Sequence, residues 1–145
     1  MEQHIDINGA WTGKLIYLTG VDENAKGKEM QFKVAIYEKD GEVTGKSVDI
    51  KGHGFVPEEA SIEGFIEDDM ISFIKKYPAC YEPDGNGNMV KVEDREPYEI
   101  NFSAIYDKEN NKFSGSWDML IKSHQIGFSF YDEMIAGEWE MQKAV

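Results

Sequence analysis

The residues best suited to chemistry form an alternating triplet, Phe73, Lys75 and Tyr77, in which one amine stands between two aromatic rings. Residues two apart on an extended chain share a face, so a strand here places the lysine on its apolar side. An unpaired ammonium in such a place costs several kcal/mol, and it must pair, lower its pKa or reach water. Two arrangements meet that demand. The stem can lie along apolar surface while the ammonium reaches solvent, or the ammonium can face an anionic group of a ligand. Tyr98 and Phe102 alternate in a later segment and Trp117 stands in the one after it. The candidate ligand-binding set is therefore Phe73, Lys75, Tyr77, Tyr98, Phe102 and Trp117. A lining of rings with one cation and few hydroxyls suits a small, flat, apolar or acidic molecule better than a sugar or a nucleotide.

Other reactive chemistry is sparse. No serine or cysteine stands beside Lys75 to form a nucleophile constellation, and the carboxylates cluster in turns and on outward parity, so no catalytic residue is assigned. Asp84, Asn86 and Asn88 occupy the first three ligand positions of an EF-hand loop, but Met89 replaces the turn glycine and Arg95 the final glutamate. The expectation is a polar loop without metal. His4, His53 and His124 are scattered, which gives no metal triad. Cys80 is the only thiol, so neither an intramolecular disulfide nor a cysteine cluster can form. No cofactor is indicated.

The elements that must position the lining follow from apolar residues recurring at period two between turn signals, the pattern of strands with one buried face. Trp11, Gly13, Leu15 and Tyr17 make the first such face; Phe32, Val34 and Ile36 the second; Ile62, Gly64 and Ile66 another. Ile71 to Tyr77, Tyr98 to Tyr106 and Phe113 to Ile121 continue the series, and Gly137, Trp139 and Met141 close it. Ile126, Phe128 and Phe130 suggest an extra strand before the last. From Val43 to Ile50 the apolar parity changes phase, as a bulge near Gly45 would cause. Pro78 to Pro97, with three prolines and an Asp-Gly-Asn-Gly-Asn run, reads as the longest irregular connection. Eight or nine strands joined by short turns predict an all-β chain, an antiparallel up-and-down β-barrel of about eight strands spanning residues 1–145 as one domain. A two-sheet sandwich is the alternative.

The 145 residues, 41% hydrophobic and 12% aromatic, can build a core without staples. A net charge of −13 repels phosphate backbones and anionic lipid, so neither nucleic acid nor a membrane is an expected partner. The N-terminal Met1-Glu2-Gln3-His4-Ile5-Asp6 has no basic or apolar run of a signal peptide. The expectation is a cytoplasmic protein, with a removed leader as the other possibility.

Three Gly-x-Trp triplets, Gly9-Ala10-Trp11, Gly115-Ser116-Trp117 and Gly137-Glu138-Trp139, fall in strand-like segments. The first resembles the Gly-x-Trp of lipocalins and avidins, members of the calycin barrels. The resemblance implies an up-and-down barrel in which Trp11 plugs one end. The chain has no Thr-Asp-Tyr triplet, its sole arginine, Arg95, lies in the long loop, and Thr19 to Lys28 is too short for a helical pair. It is thus most similar to the short, helix-poor avidin end of the group, without a clear match to avidin's first-strand biotin contacts. Gly9-Ala10-Trp11-Thr12-Gly13 also resembles the first strand of haem-binding barrels of the nitrobindin type, which would give His124 the place of their late histidine. The function these readings imply is non-enzymatic binding of a small apolar or acidic molecule at one barrel mouth. A structural or self-assembling barrel, or a small barrel enzyme acting on a hydrophobic substrate, are the alternatives.

Overall fold

The computed structural model describes residues 5–19, 25–83, 88–126 and 129–144, with the side chains of these apart from 83, 121–126 and 129–133. Ten strands follow one another: β1 (Gly9–Thr19), β2 (Glu29–Lys39), β3 (Glu42–Gly52), β4 (Ala60–Glu67), β5 (Met70–Lys76), β6 (Cys80–Pro83), β7 (Met89–Val92), β8 (Glu99–Asp107), β9 (Lys112–Ile126) and β10 (Ser129–Lys143). Eight of them close an antiparallel barrel in the order β1-β10-β9-β8-β5-β4-β3-β2, while β6 and β7 form a separate two-stranded sheet. Closure removes the free edges on which other chains could pair. Hairpin chemistry drives the meander: Asp40 and Gly41 both take positive φ, 54° and 87°, the pair of conformations of a type I′ turn. No helix among the described residues is long and apolar enough to cross a membrane.

Strict alternation is visible on β2, where Met30, Phe32, Val34 and Ile36 are buried between exposed neighbours. The Gly-x-Trp triplets explain themselves in the register of β9 with β10. Trp117 faces Gly137 across the ladder and Trp139 faces Gly115. A side chain at Gly137 would strike the Trp117 indole, and one at Gly115 would strike the Ser103 carbonyl to which Trp139 donates, so the two glycines leave room for two large rings on adjacent strands of a narrow lumen. Their N–H groups are satisfied, Trp117 donating to the Ile16 carbonyl at 3.2 Å and Trp139 to the Ser103 carbonyl at 3.0 Å.

Three details differ from the sequence expectation. Strand β3 keeps one parity throughout: Val43 and Ser47 are buried, the Asp49 carboxylate is enclosed, and Val48 and Ile50 are exposed. The register slips at the far end instead, where Gln31 faces Lys51 and Phe32 faces Asp49, so the bulged residue is Ile50 and not one near Gly45. The phase change was an illusion created by polar residues pointing inward. Second, the connection from Pro78 to Pro97 is not wholly irregular, since it holds the β6–β7 hairpin. Third, no separate strand precedes the last: Ile126 ends β9 and Phe130 belongs to β10, while Phe128 lies outside the described residues.

The lumen's middle is filled. Phe73 stacks on Phe102 at 5.0 Å between centroids, and both meet Trp139 edge-on at 5.5 and 5.1 Å. At one end Trp11 is buried, donates to the Ile7 carbonyl at 2.8 Å and packs on Phe113 at 5.5 Å. Lys143 lies over its ring and ties down the segment before β1 through the Asp6 carbonyl.

Candidate functional site

The other end is built differently. There the inward positions of β3 and β5 carry Asp49 and Lys75, whose side chains are 0% and 2% exposed and meet at 3.0 Å. The strand β4 lies between these two strands in the sheet. Lys75 faces Ile62 of β4, whereas Asp49 lies beyond Ser47, the partner of β4's first residue Ala60, so the pair spans the lumen face at the start of β4. The second carboxylate oxygen of Asp49 accepts the Tyr77 hydroxyl at 2.6 Å and the Val56 backbone N–H at 3.0 Å. The loop after β3 thus folds over to complete the carboxylate's coordination. The Lys75 ammonium also lies over the Phe32 and Tyr77 rings, 5.5 and 4.9 Å from their centroids.

Beside this cluster opens a cavity of about 60 Å³, lined by Lys75, Tyr17, Tyr77, Tyr98, Trp117 and Met119 among others. It has room for a few water molecules or a molecule of a few heavy atoms. Its lid is the small sheet, which contributes Tyr81 from β6 and Met89 from β7. Tyr81 donates to Glu58 in the loop before β4, and Tyr98 and Arg95 both donate to Glu82 of β6. Tyr17 meets Trp117 edge-on at 5.1 Å. Gly54 sits in the cavity wall with φ of 80°, and any side chain there would strike the Tyr17 hydroxyl.

The electrostatics follow from burial. Desolvation pulls the Lys75 amine below the ordinary lysine range, opposed by the charge and hydrogen bond of Asp49. Desolvation, with the Asp49 charge adding to it, pushes Tyr17 up to about 12 and Tyr77 further still. Tyr98 is raised to about 12 by desolvation and by its bond to Glu82. The tyrosines therefore remain neutral donors at any ordinary pH.

Of the six residues named from sequence, Lys75, Tyr77, Tyr98 and Trp117 come together around the cavity, whereas Phe73 and Phe102 belong to the packed layer beneath. Lys75 neither reaches water nor stands without a partner, and the partner is a residue that sequence reasoning passed over. Asp49 could have been found by carrying the Val43, Gly45, Ser47 parity one step further. Tyr81 and Met89 could not, because their strand pairing lies inside a proline-rich connection. The Asp84, Asn86, Asn88 run is cut by residues outside the described ones, and the side chain of His124 is outside them too. Among the described residues no group of His, Cys, Asp and Glu is arranged to hold a metal ion. Compared with family models, curated proteins and solved structures, the chain matches none of them.

Proposed function

We propose that this barrel, of calycin type, binds a small, uncharged, mostly apolar molecule in the cavity between Lys75, Tyr77, Tyr98 and Trp117. The carrying observation is the Asp49–Lys75 pair beside an aromatic cavity. The amine already has its counter-ion in an enclosed carboxylate 3.0 Å away, so the one cation of the lining is compensated, and an acidic group brought to Lys75 would compete with Asp49 for it. This favours a neutral occupant over the acidic one that the lysine alone suggested. A single hydrogen-bond acceptor on the ligand has donors to meet, since an ammonium offers three N–H groups and Lys75 is bonded to one carboxylate oxygen. A ligand much larger than the cavity requires the β6–β7 hairpin to shift. Its ion pairs, Lys91 with Glu58 and Arg95 with Glu82, are exposed and of small worth, whereas Cys80 and Tyr81 of β6 are buried and would have to move with it.

The test is a titration followed by the indole N–H resonances of Trp117 and Trp11, with butan-1-ol as the neutral probe and butyrate as the acidic one. Saturable shifts at Trp117 with butan-1-ol, and none at Trp11, are expected. Shifts with butyrate alone would restore the acidic-ligand reading. No saturable response to either would leave a filled, structural barrel.

A further inference from the structure

We infer that Lys75 captures small aldehydes as a protonated imine inside the cavity, with Asp49 as the resident counter-ion. The inference rests on the cavity being a binding site and names the chemical class it would take. A lysine becomes a carbonyl-capturing group when its amine is desolvated, close to a proton acceptor and next to space for the carbonyl compound. Lys75 meets all three conditions. Its side chain is 2% exposed, its Nζ is 3.0 Å from Asp49 Oδ1, and it lines the cavity. Burial favours its unprotonated form.

The step balances without an added reagent. Asp49 accepts one proton from the ammonium, and the freed nitrogen lone pair adds to the carbonyl carbon. The carbonyl oxygen takes that proton back from Asp49, which becomes a carboxylate again, and a second proton from the nitrogen; the C–O bond then breaks and water leaves. A C=N bond bearing the third proton remains. Ammonium plus aldehyde thus gives iminium plus water, with one positive charge before and after, and nothing is oxidised or reduced. The new cation occupies the place of the old one beside a carboxylate that Tyr77 and the Val56 N–H already hold in position. The Phe32 and Tyr77 rings face an iminium as they face an ammonium.

The experiment treats the intact wild-type protein with butanal and sodium cyanoborohydride, then maps the reduced adduct by mass spectrometry of peptides. Lys75 should be alkylated faster than the exposed lysines, and butan-1-ol should slow its modification but not theirs. If butan-1-ol shifts the Trp117 indole while Lys75 stays unmodified, capture is overturned and the binding reading stands. If neither occurs, both fall. Modification of Lys75 that butan-1-ol does not slow, or that appears only in denaturant, also overturns capture, because it reports an unfolded or surface amine. Since wild-type protein supplies every readout, no variant's failure to fold can blur the result.

Discussion

The two ends of the barrel are built on the same inward parity and hold opposite contents. Around Trp11 the lumen is closed by an indole, Phe113 and Ile7, with the indole N–H given to a backbone carbonyl. Around Lys75 it is closed by an ion pair, a tyrosine and a borrowed hairpin, and a cavity remains. Two buried ions lose hydration that their mutual attraction repays only in part, so apolar residues of similar volume would often serve stability as well or better. The polar end is therefore not what makes the barrel stable. A buried polar cluster next to a cavity is the arrangement expected of a site, and perturbed ionisable groups gather in such places.

The sharpest way to break the comparison is Lys75→Met. It leaves Asp49 enclosed without its cation and should cost about 3–5 kcal/mol, read as the midpoint of urea unfolding. Adding Asp49→Leu should return most of that loss. A Lys75→Met protein as stable as wild type would show that the ion pair is not buried as described. Trp11→Ala at the other end should cost about as much, roughly 3–5 kcal/mol through the cavity it opens. It should nevertheless leave the Trp117 response to butan-1-ol unchanged, and a lost response would mean that the two ends do not act independently.

Tyr77→Phe removes one donor to Asp49 but keeps the ring, and a loss of about 1–3 kcal/mol is expected for the acceptor left short of a partner. Raising the pH probes the same end. Tyr17 has its folded pKa raised to about 12 from an ordinary 10, and Tyr77 is raised beyond that. Their stabilising preference is complete below the unfolded value and is lost as pH climbs towards the folded one. The melting temperature should therefore fall between pH 10 and 12, with tyrosinate absorbance appearing only as the fold is lost. Early ionisation with the fold intact would place Tyr17 in water. The smallest effect belongs to the lid: Glu82→Gln weakens an exposed contact to Arg95 and replaces the charged acceptor of the partly buried Tyr98 hydroxyl by a neutral one, and should change stability by about 1 kcal/mol or less. Its useful readout is a faster exchange of butan-1-ol at Trp117, and an unchanged rate would remove the hairpin from the route in.

The alternation of Trp11, Leu15 and Tyr17, of Phe32 and Val34, and of Ile100, Phe102 and Ala104 was sufficient to predict an all-β barrel. A one-residue slip would turn every one of those side chains to water, so hydrophobic period alone constrains the register. It also put Lys75 inside, since a face is settled by parity whatever residue occupies it. Parity misled on β3, where Ser47 and Asp49 face inward and Val48 and Ile50 face out. There the apolar residues advertise the wrong side, because the inner face had been given to polar chemistry.

Which side of each strand looks into the lumen is written in the order of residues, a local consequence of extended backbone geometry. What tertiary structure alone decided is who meets whom across it. Lys75 and Asp49 are 26 residues apart on strands that are not neighbours. Their meeting depends on the stagger of β3 and β5 on either side of β4 and on the loop that brings the Val56 N–H to the same carboxylate. Phe73 and Lys75 share a face, yet one fills the packed middle and the other lines a cavity. Depth along the lumen is set by how strands are staggered around a closed wall, and no period within one strand records that.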